Sequence, residues 1–172
     1  MDLAQKVVEG LPPFVTVVAL FVDEDPGRIQ EILETVRIDL LQFHGDEAPH
    51  SCGGFGKPWI KALKMRPGLD LAREGQRYSG SSGFLLDAWH PDVHGGSGVS
   101  FDWGLLSGKV IPDVVLAGGL NPDNISLALK TVRPYGVDIS SGVESAKGIK
   151  DHAKMAAFLQ RVKEFDYGSQ RD

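Results

Sequence analysis

Apolar residues recur along this chain with two alternating periods. From Leu3 to Leu11 they fall at Leu3, Val7, Val8 and Leu11, the spacing of an amphipathic helix that Pro12-Pro13 ends. Phe14 to Val22 is apolar and β-branched almost throughout, which predicts a strand buried on both faces in a parallel sheet. Asp25-Pro26 then reads as a cap and a first helical residue, with Ile29, Ile32, Leu33 and Val36 forming one buried stripe.

The same strand–helix unit repeats. Ile38 to Phe43 is a second strand, closed by His44-Gly45-Asp46-Glu47, whose two acids suit the first turn of a short helix. Trp59 to Leu63 is a third strand, and Leu69 to Tyr78 a helix. Gly83 to Ala88 and Asp113 to Ala117 are the fourth and fifth strands, separated by a glycine-rich connection and Phe101-Asp102-Trp103. Asn121-Pro122 caps a helix with Ile125, Ala128, Leu129 and Val132 inward. Gly136 to Ile139 is the sixth strand, ahead of a last helix that turns Met155, Phe158, Leu159 and Val162 inward and a polar tail over 166–172.

Strands alternating with helices every roughly 20 to 30 residues imply right-handed crossovers and a parallel sheet, hence an α/β fold. An open doubly wound sheet would carry a dinucleotide fingerprint after its first strand, and none is there. Glycines and serines cluster instead after the last two strands, where (β/α)8 barrels build phosphate sites. The pattern therefore predicts a TIM-barrel type of architecture in one domain over residues 1–165, although only six strands can be counted.

Composition narrows the functions. The chain has 172 residues and a net charge of -5 with no basic cluster, so neither nucleic acid nor a membrane surface is expected as a partner. A phosphorylated small molecule stays compatible, because backbone amides hold phosphate without a basic patch. The one cysteine, Cys52, excludes an internal disulfide, suits a reducing cytosol and, in its Ser-Cys-Gly-Gly setting, reads as structural. The apolar run Val15 to Val22 is too short to cross a bilayer, and the first residues lack the pattern of a signal peptide, so a cytoplasmic location is expected.

Several residues carry candidate chemistry. Asp87 ends the fourth strand just before the glycine loop, placed either to present an acid to a substrate or to cap a turn. Gly118-Gly119 and Ser140-Ser141-Gly142 follow neighbouring strands, and their amides and hydroxyls could together cradle a phosphate monoester. His44, at a strand end, could polarise a substrate, donate to a carboxylate or bond its own loop. Asp138 is expected inside its strand with a structural role, and Asp39 shares that ambiguity. His90 and His94 show no metal-like spacing, so no metal site and no cofactor are expected.

Five segments, in order, resemble one family. They are Leu40 to Glu47 (LLQFHGDE), Leu85 to Ala88, Gly95-Gly96-Ser97-Gly98 with Phe101-Asp102-Trp103, Leu116 to Pro122 (LAGGLNP) and Val137 to Glu144 (VDISSGVE). Together they are similar to phosphoribosylanthranilate isomerase, the (β/α)8 enzyme of tryptophan biosynthesis. The resemblance implies an Amadori rearrangement of N-(5′-phosphoribosyl)anthranilate to 1-(2-carboxyphenylamino)-1-deoxyribulose 5-phosphate. It implies Asp87 as general acid and Gly118, Gly119, Ser140, Ser141 and Gly142 as phosphate ligands. His44, Gly95, Gly96, Gly98 and Asp138 would line the substrate.

The family opens with a strand carrying Lys-x-Cys-Gly-Ile-Thr, whose cysteine is the general base, and that motif does not occur in this sequence. Aligned on the shared segments, the chain corresponds to strands three to eight of the family, with about 40 family residues, two of eight strands, without counterpart. Cys52 follows a different strand and is no substitute. Two readings therefore stay open: an isomerase whose base is not among these residues, and a non-catalytic barrel fragment that binds a sugar phosphate or a partner chain. The first strand is also expected to expose an apolar edge through which the chain would form a homo-oligomer.

Overall fold

The computed structural model describes residues 2–66, 68–88, 102–106 and 114–169. The chain divides into two compact units, Met1–Leu63 with Asp70–Phe84, and Lys64–Leu69 with Leu85–Asp172.

In the first unit, helix α1 (Asp2–Glu9) forms as its spacing predicts, yet buries no residue: Leu3 and Val7 lie 76% and 59% exposed. Strand β1 (Val18–Phe21) is shorter than the apolar run that contains it. Phe14 adopts a left-handed φ of 67°, which an extended strand cannot contain. The Val17 amide then donates to the Asp39 carboxylate at 2.8 Å, which gives Asp39 its structural role. Burial on both faces is not what the run achieves. Val18 and Leu20 are 44% and 55% exposed, because β1 is an edge strand that, among the described residues, pairs only with β2 (Leu40–Phe43).

β1 and β2 are parallel, with Val18 beside Leu40 and Phe21 beside Phe43, and β2 runs parallel to β3 (Trp59–Met65), with Phe43 beside Lys61. Between β1 and β2, helix α2 (Pro26–Thr35) starts on Asp25, whose carboxylate accepts the Arg28 amide at 3.1 Å, as Asp-Pro predicts. Ile29 and Val36 carry its buried stripe. The core of this unit is aromatic: Phe43 meets Phe21, Phe55 and Trp59 with ring centroids 6.0–6.3 Å apart. Helix α3 (Leu71–Arg77) is capped by Asp70.

The second unit holds β4 (Phe84–Ala88), β5 (Val114–Leu116) and β6 (Gly136–Val137) in that order, with β5 and β6 parallel. Leu85, Leu86, Val114 and Leu116 are all buried to within 1%. Helix α4 (Ile125–Val132) crosses from β5 to β6 and buries Ile125, Ala128 and Leu129. After β6 comes a feature the apolar pattern does not show, an antiparallel hairpin of β7 (Glu144–Ala146) and β8 (Ile149–Lys150).

Helix α5 (His152–Ser169) follows and packs on α4. Phe158 is its buried anchor, whereas Met155 and Leu159, expected inward, are 38% and 55% exposed. The helix continues through Ser169, so the start of the expected polar tail is helical.

Candidate active site

Asp87 is the penultimate residue of β4 and half-buried. Its Oδ1 accepts the Ala88 amide at 2.8 Å, which turns the carboxylate along the strand end. The β5 turn is set against it. The Ala117 amide donates to Leu86 O at 2.8 Å, and Gly118 then turns at a φ of 80°. A Cβ on Gly118 would lie 2.8 Å from Asp87 Oδ1 and would run into the Ala88 amide nitrogen. Only glycine allows this approach, so the β5 turn and the strand-end acid share one wall.

The β6 turn abuts the β5 turn in the same manner. Ser140 leads into a tight 3-10 turn over Ser141–Val143. At Gly142 a Cβ would collide with the Leu120 carbonyl oxygen and sit 3.1 Å from Asn121 Cα. Asn121 and Asn124 brace the β5 turn. Asn121 Oδ1 accepts the Asp123 and Asn124 amides at 2.8 and 3.1 Å, while Asn124 Nδ2 donates to Gly119 O at 2.8 Å. Asn121 thus caps the turn over 122–124, whereas α4 itself starts later than Asn-Pro predicts, at Ile125 after Asn124. Gly118 is thus set against Asp87, and Gly142 against Leu120 and Asn121 of the β5 turn, all within the second unit.

Lys150 contacts the start of the β6 turn. Lys150 Nζ donates to Ser140 O at 2.9 Å, reaches Ser140 Oγ at 3.4 Å and pairs with Glu144 Oε1 at 2.8 Å. Lys154 Nζ donates to Glu144 O at 2.7 Å. The Lys150 hydrogen bond, with a second from the Gly148 amide, holds the Glu144 carboxyl below its usual range. Asp138 is not inside its strand: β6 ends at Val137, and Asp138 follows, exposed, its amide donating to Leu116 O at 2.8 Å.

His44 belongs to the first unit. Its amide donates to Phe21 O at 2.8 Å, and its Nδ1 lies 3.0 Å from Gln42 Nε2, an amide nitrogen that can only donate. The two acids after it do not open a helix. The short 3-10 turn starts later, at Pro49, and Glu47 instead turns inward. Glu47 Oε1 accepts the Asp23 and Gly45 amides at 2.9 and 3.0 Å, and Oε2 faces Lys61 Nζ at 3.2 Å.

Lys61 directs its ammonium at three carbonyls, Phe43, Gly45 and Ala62, at 2.8–3.2 Å. Burial works to raise the Glu47 pKa, but the amides and the Lys61 charge outweigh it and hold the carboxyl below its usual value. Cys52 is fully buried, donates to Ala48 O, and burial beside Glu47 pushes its thiol up to about 11, in keeping with a structural residue. Gly95, Gly96 and Gly98 lie outside the described residues. Among the described residues no group of three or more His, Cys, Asp or Glu could hold a metal ion.

Two comparisons decide the family. A family model described as N-(5'phosphoribosyl)anthranilate (PRA) isomerase matches residues 2–161. A protein named N-(5'-phosphoribosyl)anthranilate isomerase from Pseudomonas putida strain F1 is 53% identical over 161 residues, 94% of this chain and 78% of that protein.

The chain belongs to the phosphoribosylanthranilate isomerase family.

Solved structures agree. The phosphoribosyl anthranilate isomerase of Thermotoga maritima superposes with a TM-score of 0.84 at 35% identity, covering 95% of this chain and 80% of that one. Another isomerase of the family, solved in complex with reduced 1-(o-carboxyphenylamino)-1-deoxyribulose 5-phosphate, superposes at 0.77 with 32% identity, covering 95% and 79%. The fold is thus the α/β, TIM-barrel type, and the chain is by family an isomerase of tryptophan biosynthesis. No described helix is long and apolar enough to cross a membrane.

Sequence reasoning missed two lysines of this isomerase. Lys61 gave a signal, a cation in the middle of the otherwise apolar Trp59-Ile60-Lys61-Ala62-Leu63. Lys150 gave none, since its partners Ser140 and Glu144 become neighbours only through the β7–β8 hairpin.

Proposed function

We propose that this chain works in the Amadori rearrangement of N-(5′-phosphoribosyl)anthranilate to 1-(2-carboxyphenylamino)-1-deoxyribulose 5-phosphate. One observation carries the reading: Gly118, first residue of a glycine pair, abuts the Asp87 carboxylate so closely that a side chain would collide with it. A phosphate held on the amides around Gly118, Gly119, Ser140, Ser141 and Gly142 would set the sugar against that acid. Orientation of this sort supplies part of a rate enhancement before acid strength enters.

In this mechanism Asp87, as its acid form, protonates the ribose ring oxygen, and the furanose opens to the anthranilate Schiff base. A base removes the proton from C2′ to give the enolamine, which tautomerises to the ketone. Cys52, buried with its thiol raised, is not assigned as that base. His44 and Asp138 are assigned to the substrate lining, together with Gly95, Gly96 and Gly98. The reaction belongs to a cytoplasmic biosynthetic enzyme.

The test is turnover of the phosphoribosyl substrate by the purified chain and by Asp87→Asn. Isomerisation lost in the variant supports the assignment; phosphate-ligand binding without turnover in the parent chain would favour the non-catalytic sugar-phosphate-binding reading instead. The exposed edge of β1 is the surface through which a homo-oligomer would form. Sedimentation velocity tests it: a Leu20→Lys variant should shift an oligomer toward monomer, and a monomeric parent chain would end that assignment.

A further inference from the structure

Lys150 reaches the hydroxyl of one candidate phosphate ligand, a contact that neither the motif nor the family assignment requires. Its ammonium donates to Ser140 O at 2.9 Å and lies 3.4 Å from Ser140 Oγ, while Glu144 accepts from it at 2.8 Å. A serine hydroxyl has one proton and two lone pairs. An ammonium can only donate, so where it engages Ser140 Oγ it takes a lone pair and leaves the O–H to point elsewhere. Ser140 is exposed at the mouth of the turn, and the neighbouring elements there are the backbone of Ser141 and Gly142.

We propose that Lys150 is a positioning residue for phosphate binding: it fixes Ser140 as a hydrogen-bond donor toward the phosphate and adds positive charge at the start of the β6 turn. The inference rests on the reading of the two turns as a phosphate cradle. Glu144 serves the lysine rather than the ligand. It draws Lys150 back against the turn, where its side chain is 39% exposed, instead of releasing it to solvent. Lys154 completes the arrangement by donating to Glu144 O at 2.7 Å, on the first turn of α5. The hairpin of β7 and β8 gains a reason to exist: with the register of Glu144 beside Lys150, it carries Lys150 back to the residue ten positions earlier. Charge-assisted hydrogen bonds are stronger than neutral ones, and a hydroxyl polarised by a cation is a better donor to an anion.

The experiment titrates inorganic phosphate into the full chain and follows the backbone amide resonances of Gly119, Ser141 and Gly142. The parent chain should respond at these amides. Lys150→Met should weaken the affinity about three- to tenfold, a modest figure because the pair is partly exposed. Lys150→Arg should retain most of it, since it keeps both charge and donors. Ser140→Ala should lose a similar factor by itself. In the Ser140→Ala background the added loss from Lys150→Met should fall below about twofold, because contacting residues that act through one group are not additive.

A purely structural lysine would give the same loss in both backgrounds, and that result overturns the proposal. Undiminished phosphate affinity in either Lys150→Met or Ser140→Ala overturns it as well, and the serine variant stays informative if the lysine variant fails to fold. Absence of any amide response in the parent chain overturns the cradle itself, an outcome distinct from the other two.

Discussion

Each unit of the molecule holds a lysine–glutamate pair, and the two pairs serve opposite ends. Lys61 and Glu47 in the first unit are 3% and 6% exposed, 3.2 Å apart. Lys150 and Glu144 in the second are 39% and 15% exposed, 2.8 Å apart. The shorter pair is the weaker one. Water screens it, and an exposed pair contributes about 0–1 kcal/mol. The longer pair has surrendered its hydration and is tied into six further hydrogen bonds and a cation–aromatic contact: three lysine donors to carbonyls, two amides onto Glu47, the Tyr78 hydroxyl onto Glu47 O, and the Tyr78 ring 5.7 Å away.

Removing one member of such a pair strands the other in a dry site, whereas in the open pair the survivor returns to water. Burial, not distance, decides which pair holds the fold and which stays open to water. In the first unit Lys61 and Glu47 spend their hydrogen bonds on the interior. The second unit's candidate site keeps amides and a hydroxyl at the surface.

The contrast breaks if changes in the two units fail to separate activity from stability. The largest effect expected is on turnover: Asp87→Asn should lower it by about 10²- to 10⁴-fold, measured as initial rate with the phosphoribosyl substrate. The same variant should shift the urea midpoint by no more than about 0.5 kcal/mol in stability. Next comes Lys61→Met, which should cost about 3–5 kcal/mol in urea unfolding, against less than about 1 kcal/mol for Lys150→Met. Equal costs would end the distinction drawn above. Replacing both members, Lys61→Met with Glu47→Leu, should recover a large part of the loss, because no uncompensated charge remains.

Gly118→Ala sharpens the role of close approach. A left-handed φ costs a residue with a Cβ about 1–2 kcal/mol, and the collision with Ala88 and Asp87 adds to it. The variant should lose both stability and turnover, the one position expected to move both. The pH dependence is smaller. Glu47 has its pKa lowered in the folded chain, so its contribution is fully present above the unfolded value of about 4.3. That contribution is lost as pH falls from there through the folded value. Urea midpoints measured downward from neutrality should therefore decline below about pH 5, and Glu47→Gln should flatten that limb. The smallest effect is chemical: with its thiol raised to about 11, Cys52 should label with a thiol reagent at pH 7 only as fast as the chain opens.

Much of this could be read from residue order because it depends on local rules. Asp25-Pro26 marks its helix start through a side-chain oxygen that accepts the amide three positions on, and Asn121 caps the turn ahead of α4 in the same way; such reach is independent of the rest of the chain. Five of the six parallel-strand segments stand near their expected places for a similar reason, as short apolar runs bounded by turn formers. Pairing Asp87 with the glycine turn was legible only through the resemblance. The contact itself joins β4 to β5 across a connection of some 25 residues.

What the sequence by itself determined is the alternation of elements, their caps and the family to which the motifs belong, since backbone propensity and side-chain period act over a few residues. Tertiary structure alone decided which apolar residues are buried. Val18 and Leu20 sit on an uncovered edge and Leu41 in a core, although their side chains are equally apolar. It also decided that Glu47 turns inward to Lys61 rather than opening a helix, because a carboxylate goes where two amides and an ammonium converge. And it decided that Lys150 stands against Ser140, through a hairpin whose register no hydrophobic pattern records.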